Sequence, residues 1–212
     1  MSAPDDISSL EFSALISSKI CHDVIGPVGA IFNGLEVLAD DDDPQTREYA
    51  LQIVKDSTRQ ASAKLEFARF AFGAAGSAGA VIDLQNARTI SEGYVGNDRH
   101  SLDWRMPPGH LEKDKVKLLL NMLSAAMTAL PRGGAIEVSG DVNEGAPRFM
   151  IRCRGEAARP PRNLPEFIAG GQDLALDAMT IQAYYTCRLA DSAGMRLAVQ
   201  QDGGDIVLTA IS

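Results

Sequence analysis

Between residues 10 and 38, apolar or small side chains recur at alternating steps of four and three: Leu10, Ala14, Ser17, Cys21, Val24, Val28, Ile31, Leu35 and Leu38. A heptad seam of that length belongs to a long bundle helix. The acidic run ADDDDP, residues 39–44, ends it. Carboxylates at a helix C-terminus oppose the macrodipole, so the run reads as a turn, with Asp43 as N-cap and Pro44 at the first position of a second helix. That helix places Ala50, Val54, Ser57, Ala61, Leu65, Ala68 and Phe72 on one face. Most are small, so the two helices can approach closely as an antiparallel hairpin. Two helices enclose no core. The first helix carries a further apolar row, Phe12, Ile16 and Ile20, which its partner cannot cover together with the seam. A second copy of the chain, completing a four-helix bundle as a homodimer, is the economical cover. The alternative is that the C-terminal part of the chain packs there.

The stretch GAAGSAGA, residues 73–80, loses both periodicity and charge and reads as a linker. Beyond it we expect a helix over 84–96, a strand near SLDWRM (101–106) and a helix from Lys113 to Leu130. Strands GAIEVSG (134–140) and PRFMIRC (147–153), a Pro-rich loop and a helix over 177–192 follow. A hairpin over 195–211, turning at DGGD, closes the chain. The expected fold class is therefore α plus α+β: a helical hairpin over residues 1–75, then a two-layer α/β sandwich over residues 81–212.

Composition narrows the partners. The chain has 212 residues and a formal net charge of −8, with twelve acidic and six basic side chains in residues 1–75. No basic patch is present to displace counterions from phosphates, which excludes nucleic acid as the expected partner. An acidic surface still selects protein partners by complementarity. No apolar run approaches the length needed to span a bilayer, and MSAPDDISSLEF is acidic where a secretory signal is basic. The expectation is a cytoplasmic protein with no membrane association. Cys21, Cys153 and Cys187 lack CxxC spacing, so they suggest neither a disulfide framework nor a zinc site and read as small buried hydrophobes.

Midway along the first helix stands ICHDVIGPVGAI, residues 20–31. Relative to alanine, glycine costs a helix about 1 kcal/mol and proline about 3 kcal/mol, so Gly26, Pro27 and Gly29 need a compensating purpose. Set on the first helix of a hairpin, His22-Asp23 followed by Pro27 resembles the H-box of the histidine kinase core of two-component signalling. The resemblance extends to the second part of the chain, which is similar to the GHKL (Bergerat) ATP-binding fold, above all in LLLNMLSAAMTALPRGGAIEV, residues 118–138. Asn121 matches the first asparagine of that family's Asn-x-x-x-Asn box, but Ala125 stands where the second would hold magnesium. CRGEA, residues 153–157, stands where the family has Asp-x-Gly-x-Gly: Gly155 remains, while Cys153 and Ala157 replace the adenine-reading aspartate and the last glycine. Without an oxygen ligand at 125 magnesium has no anchor, and a glycine-poor loop gives triphosphate no backbone cradle. No ATP binding, no other cofactor and no protein metal site are expected. Asn121 then serves to cap or tie a loop.

A phosphorylatable histidine joined to a kinase-like domain that cannot supply ATP resembles the ChpT-type histidine phosphotransferases of alphaproteobacterial phosphorelays. FARFAFGA, residues 67–74, resembles the end of the second helix in that family. The resemblance implies that His22 takes a phosphoryl group from the receiver domain of a CckA-like hybrid kinase. It would then pass the group to receiver aspartates of the cell-cycle response regulators CtrA and CpdR, with magnesium supplied by the receiver. Two other classes stay open: an autophosphorylating kinase with a divergent nucleotide site, and a scaffold that only sequesters receivers.

The residues around His22 fit that chemistry. Position 22 is one step past seam residue Cys21, so its side chain emerges on the flank of the bundle. Residues i+4 and i+7 on that flank are Gly26 and Gly29, which leave a bare strip where a partner's active-site loops can approach. Asp23 either holds the second ring N–H and fixes the tautomer or is a solvated helix charge, since adjacent side chains point about 100° apart. Ser18 and Lys19, one turn earlier, either contact phosphoryl oxygens or are simply solvated. His100 and His110 receive no role.

Overall fold

The structure is a computed structural model that describes residues 7–73, 80–96, 99–142, 147–171 and 174–212. Two long helices come first, α1 (Ser9–Asp40) and α2 (Pro44–Ala71). Ser8 caps α1, its hydroxyl accepting from the Glu11 amide at 3.2 Å. Asp43 caps α2 through the Thr46 amide at 2.9 Å, with Pro44 following in the first turn. α1 takes in Asp40, so the acidic run is not wholly turn. The Arg47 guanidinium compensates, donating to the carbonyls of Leu38 and Asp41 at the end of α1. The linker expected at 73–80 lies, apart from its end residues, outside the described residues.

The rest of the chain gives β1 (Val81–Asp83), α3 (Leu84–Val95), β2 (His100–Arg105), β3 (His110–Glu112) and α4 (Lys113–Ala129). It continues through β4 (Gly134–Asp141), β5 (Arg148–Arg154), α5 (Leu164–Ile168), α6 (Ile181–Ser192), β6 (Arg196–Asp202) and β7 (Asp205–Ile211). Five strands form one sheet in the order β2-β4-β5-β7-β6, and β1 pairs with β3 in a separate ribbon. Only β2 and β4 run parallel; every other pairing is antiparallel. Alternation then separates the two faces of the sheet. Ile136, Val138, Phe149, Ile151, Cys153, Leu208 and Ala210 turn inward and are fully buried. Outside, Arg105, Glu137, Arg154, Asp205 and Arg152 form a chain of opposite charges across β2, β4, β5 and β7. α4 lies against the inner face with Leu118, Leu119, Leu120, Met122 and Leu123 all fully buried. From Val116 to Ala126 every position of α4 is buried, which makes it the core helix. α5 was expected as irregular chain within ARPPRNLPEF, where Asn163 at φ 63° starts a single short helix.

Neither apolar row of α1 takes the whole role expected of it: of the heptad seam only Val24, Ile31 and Leu38 are half-buried. Leu10, Val28 and Leu35 of the heptad seam are exposed, and so are Ala14, Ser17 and Cys21. The face toward α2 is set instead by Pro27 and Gly34, both buried. A Cβ on Gly34 would lie 2.7 Å from Val54 Cγ2 and 3.3 Å from the Ala50 carbonyl, so the glycine is what lets the helices touch there. The row Phe12, Ile16, Ile20, expected to be covered by a second copy, is covered within the chain. Ile16 is buried, and the Phe12 ring packs on Tyr185 of α6 at 5.3 Å between centroids. Tyr185 also meets Phe72 at 5.9 Å, so one ring joins the foot of the hairpin to the sheet domain. The side-chain row near the start of α1 follows α6 because α6 is part of the same chain and already held there.

Candidate functional site

His22 lies in the middle of α1 with 62% of its side chain exposed. Gly26 and Gly29 follow it, and a Cβ at either would meet nothing within 4 Å. Their lack of side chains therefore relieves no contact inside the chain. It leaves open backbone for whatever approaches from outside. Ser18 is exposed as well.

Asp23 is engaged from two sides. Lys19, one turn back and 13% exposed, donates to its carboxylate. Lys64 Nζ, from α2, donates to its main-chain carbonyl at 2.8 Å. His22 Nδ1 stands 3.6 Å from Asp23 Oδ1, farther than a hydrogen bond reaches. In this geometry the carboxylate serves Lys19, while its negative charge still faces the Nδ1 side of the ring. Nε2 is the nitrogen on the side away from Asp23.

A cleft of about 370 Å³ opens where the hairpin meets the sheet domain, lined among others by Lys19, His22, Lys64, Tyr94, Ser124 and Gln182. Tyr94 of α3 forms its floor. Its ring stacks on Phe67 of α2 at 3.7 Å, and its hydroxyl shares a 3.0 Å hydrogen bond with Ser124 of α4. Burial pushes the Tyr94 phenol up to about 12, so it stays neutral at any physiological pH. His100, given no role from the sequence, also lines the cleft, with Nε2 3.1 Å from the Leu130 carbonyl. The sequence reading found Lys19, His22 and Asp23 but missed Lys64, Tyr94, Ser124 and Gln182. Only the Lys19–Asp23 spacing of four residues was a local signal.

The positions that resemble a nucleotide site have other partners. Asn121 is fully buried and its amide donates to the carbonyls of Ala71, at the end of α2, and Lys117. Cys153 is buried in β5 with its Sγ 3.7 Å from the Ala126 carbonyl, and burial pushes its thiol up to about 12. Ala157 takes a left-handed conformation at φ 58°, where a glycine would be unstrained. Of the cysteines read as buried, Cys153 is so, Cys187 is half-buried and Cys21 is exposed.

Known proteins assign this arrangement to a class. The family described as histidine phosphotransferase C-terminal domain matches residues 84–205, and the chain belongs to the histidine phosphotransferases. The chain is 43% identical over 211 residues to the protein phosphotransferase ChpT of Brucella abortus (strain 2308), a match covering 99% of this chain and all of that one. A bacterial phosphotransferase of solved structure superposes with a TM-score of 0.90 at 41% identity, covering 99% of this chain and 100% of that one. The helical hairpin followed by an α/β sheet domain is thus the fold of a protein-histidine phosphotransferase, which acts in a phosphorelay.

Proposed function

We propose that His22 is the phosphoacceptor, that it takes its phosphoryl group from the receiver domain of a CckA-like hybrid kinase, and that it passes the group to CtrA-like and CpdR-like response regulators. The observation that carries this reading is the open flank of α1: a largely exposed imidazole, two glycines whose positions face empty space, and two lysines at the cleft. Nε2 attacks the phosphorus of an aspartyl phosphate in line with the leaving oxygen. A P–N bond forms as the P–O bond breaks, and the aspartate carboxylate departs with the electron pair. Transfer onward is the reverse step with a second aspartate. Such transfer depends on positioning and charge neutralisation; Lys19, which lines the same cleft as His22, is the cation for the second.

The rest of the machinery comes from the partner. The magnesium of the reaction is that of the receiver's acidic pocket. ATP has no part in this reading: Ala125 offers no ligand oxygen, and Cys153 no carboxylate. The active form is a homodimer in which Val28, Phe32 and Leu35, 47%, 61% and 52% exposed, pack against the same residues of a second copy to complete a four-helix bundle. The protein works in the cytoplasm, where receiver domains reside.

The test is incubation with the receiver domain of a CtrA-like regulator loaded from acetyl phosphate, comparing the wild type with His22→Gln. Acid-labile, alkali-stable phosphate is expected on the wild type and none on the variant. ATP with magnesium alone should leave both unlabelled; label on His22→Gln, or label from ATP alone, overturns the reading.

A further inference from the structure

Pro27 leaves a gap in the hydrogen-bond ladder of α1. The amide that would donate to the Asp23 carbonyl, four residues back, does not exist on a proline. A buried or half-buried carbonyl without a donor is costly, and here a side chain from the other helix supplies one: Lys64 Nζ donates to Asp23 O at 2.8 Å across the hairpin. Lys19 holds the carboxylate of the same residue. Asp23 is bonded directly to His22, so fixing its main chain and its side chain fixes the turn of helix from which the imidazole projects. Lys64 and His22 line the same cleft.

We infer that Lys64 is a positioning residue for phosphoryl transfer: its ammonium replaces the helical donor that Pro27 lacks and holds the His22 turn in one orientation against α2. The inference rests on His22 being the phosphoacceptor. It also gives the proline a purpose. By withholding one amide, Pro27 turns a carbonyl of α1 toward a partner on α2, and the helix carrying the histidine is tied to its neighbour at the reactive turn. A proline and a lysine 37 positions apart in the chain thus act as one device.

Alanine at 27 restores the amide, and with it the bond inside α1, so the two residues should be coupled. The experiment measures transfer from the acetyl phosphate-loaded receiver to Lys64→Met, Lys64→Arg, Pro27→Ala and the Pro27→Ala/Lys64→Met pair, with His22→Gln as reference. Each variant is assayed below its own melting midpoint. Lys64→Met should slow transfer about tenfold, the scale of a small misplacement of a reacting group, while Lys64→Arg, which keeps a donor, retains most of the rate. In the Pro27→Ala background, Lys64→Met should change the rate less than about twofold, by the same argument. The imidazole 15N signals of His22 should shift or broaden in Lys64→Met and return in the paired variant. A wild-type rate in Lys64→Met overturns the inference. So does an equal loss with proline or alanine at 27, which would mark Lys64 as a direct neutraliser of phosphoryl charge. Label on His22→Gln overturns the acceptor assignment itself, whatever the lysine variants do.

Discussion

Cys153 packs in β5 where no water reaches it, and the Tyr94 ring packs against Phe67 of α2 with its hydroxyl on Ser124 of α4; burial pushes both groups up to about 12. Each keeps its proton in the folded chain at pH values where the unfolded chain loses it. Their contribution to stability is therefore complete below the ordinary values of 9.0 for the thiol and 10.0 for the phenol, and it drains away as the pH climbs toward 12. The urea midpoint should fall steadily above pH 9, and a flat profile there would contradict this account. Alkylation at pH 8, below the ordinary thiol value of 9.0, should spare Cys153 in the native protein and modify it in urea, as peptide mass mapping will show. At this scale the candidate site was half legible. His22, Asp23 and Lys19 share one helical segment, and their mutual placement follows from 3.6 residues per turn. Lys64 lies 41 residues from Asp23. Nothing local reports that pairing, because it depends on how far α2 is rotated and shifted against α1.

Rotation is also where the reading of whole elements failed. The heptad in α1 was a true signal of a bundle helix, but a helix with two apolar rows does not announce which one meets its hairpin partner. Gly34 and Pro27 decide the matter, through close approach at one and burial at the other. Gly34→Leu should drive α1 off Val54 and lower stability by about 1–3 kcal/mol, the usual cost of overfilling a packed contact. Thermal melts measure it, and an unchanged midpoint would mean that α1 and α2 are not in close contact at Gly34. The larger strands and helices of the sheet domain were legible because alternation and burial agree along each of them. β1, β3 and α5 were not, since three to five residues carry too little periodicity to register.

For the molecule as a whole, the exposed stripe of α1 is the chief unsolved apolar surface. If the proposed homodimer forms through it, replacing Phe32 and Leu35 together with glutamate should leave the fold intact and shift light-scattering mass from two chains to one. A mass that does not change would remove the four-helix bundle from the account. Among the described helices α1 is also the one long and apolar enough, by length and composition alone, to cross a bilayer. Its central turn nonetheless carries the Lys19–Asp23 ion pair and His22, and its neighbours are α2 and α6. Hairpin and sheet domain share one core through Phe67 and Ala71, and Asn121 adds a polar tie: its amide clasps the last carbonyl of α2. The Asn121 side chain is a rivet between hairpin and sheet domain. A substitution at 121 would therefore release the end of α2 from α4 in the same stroke as it unties the Lys117 carbonyl.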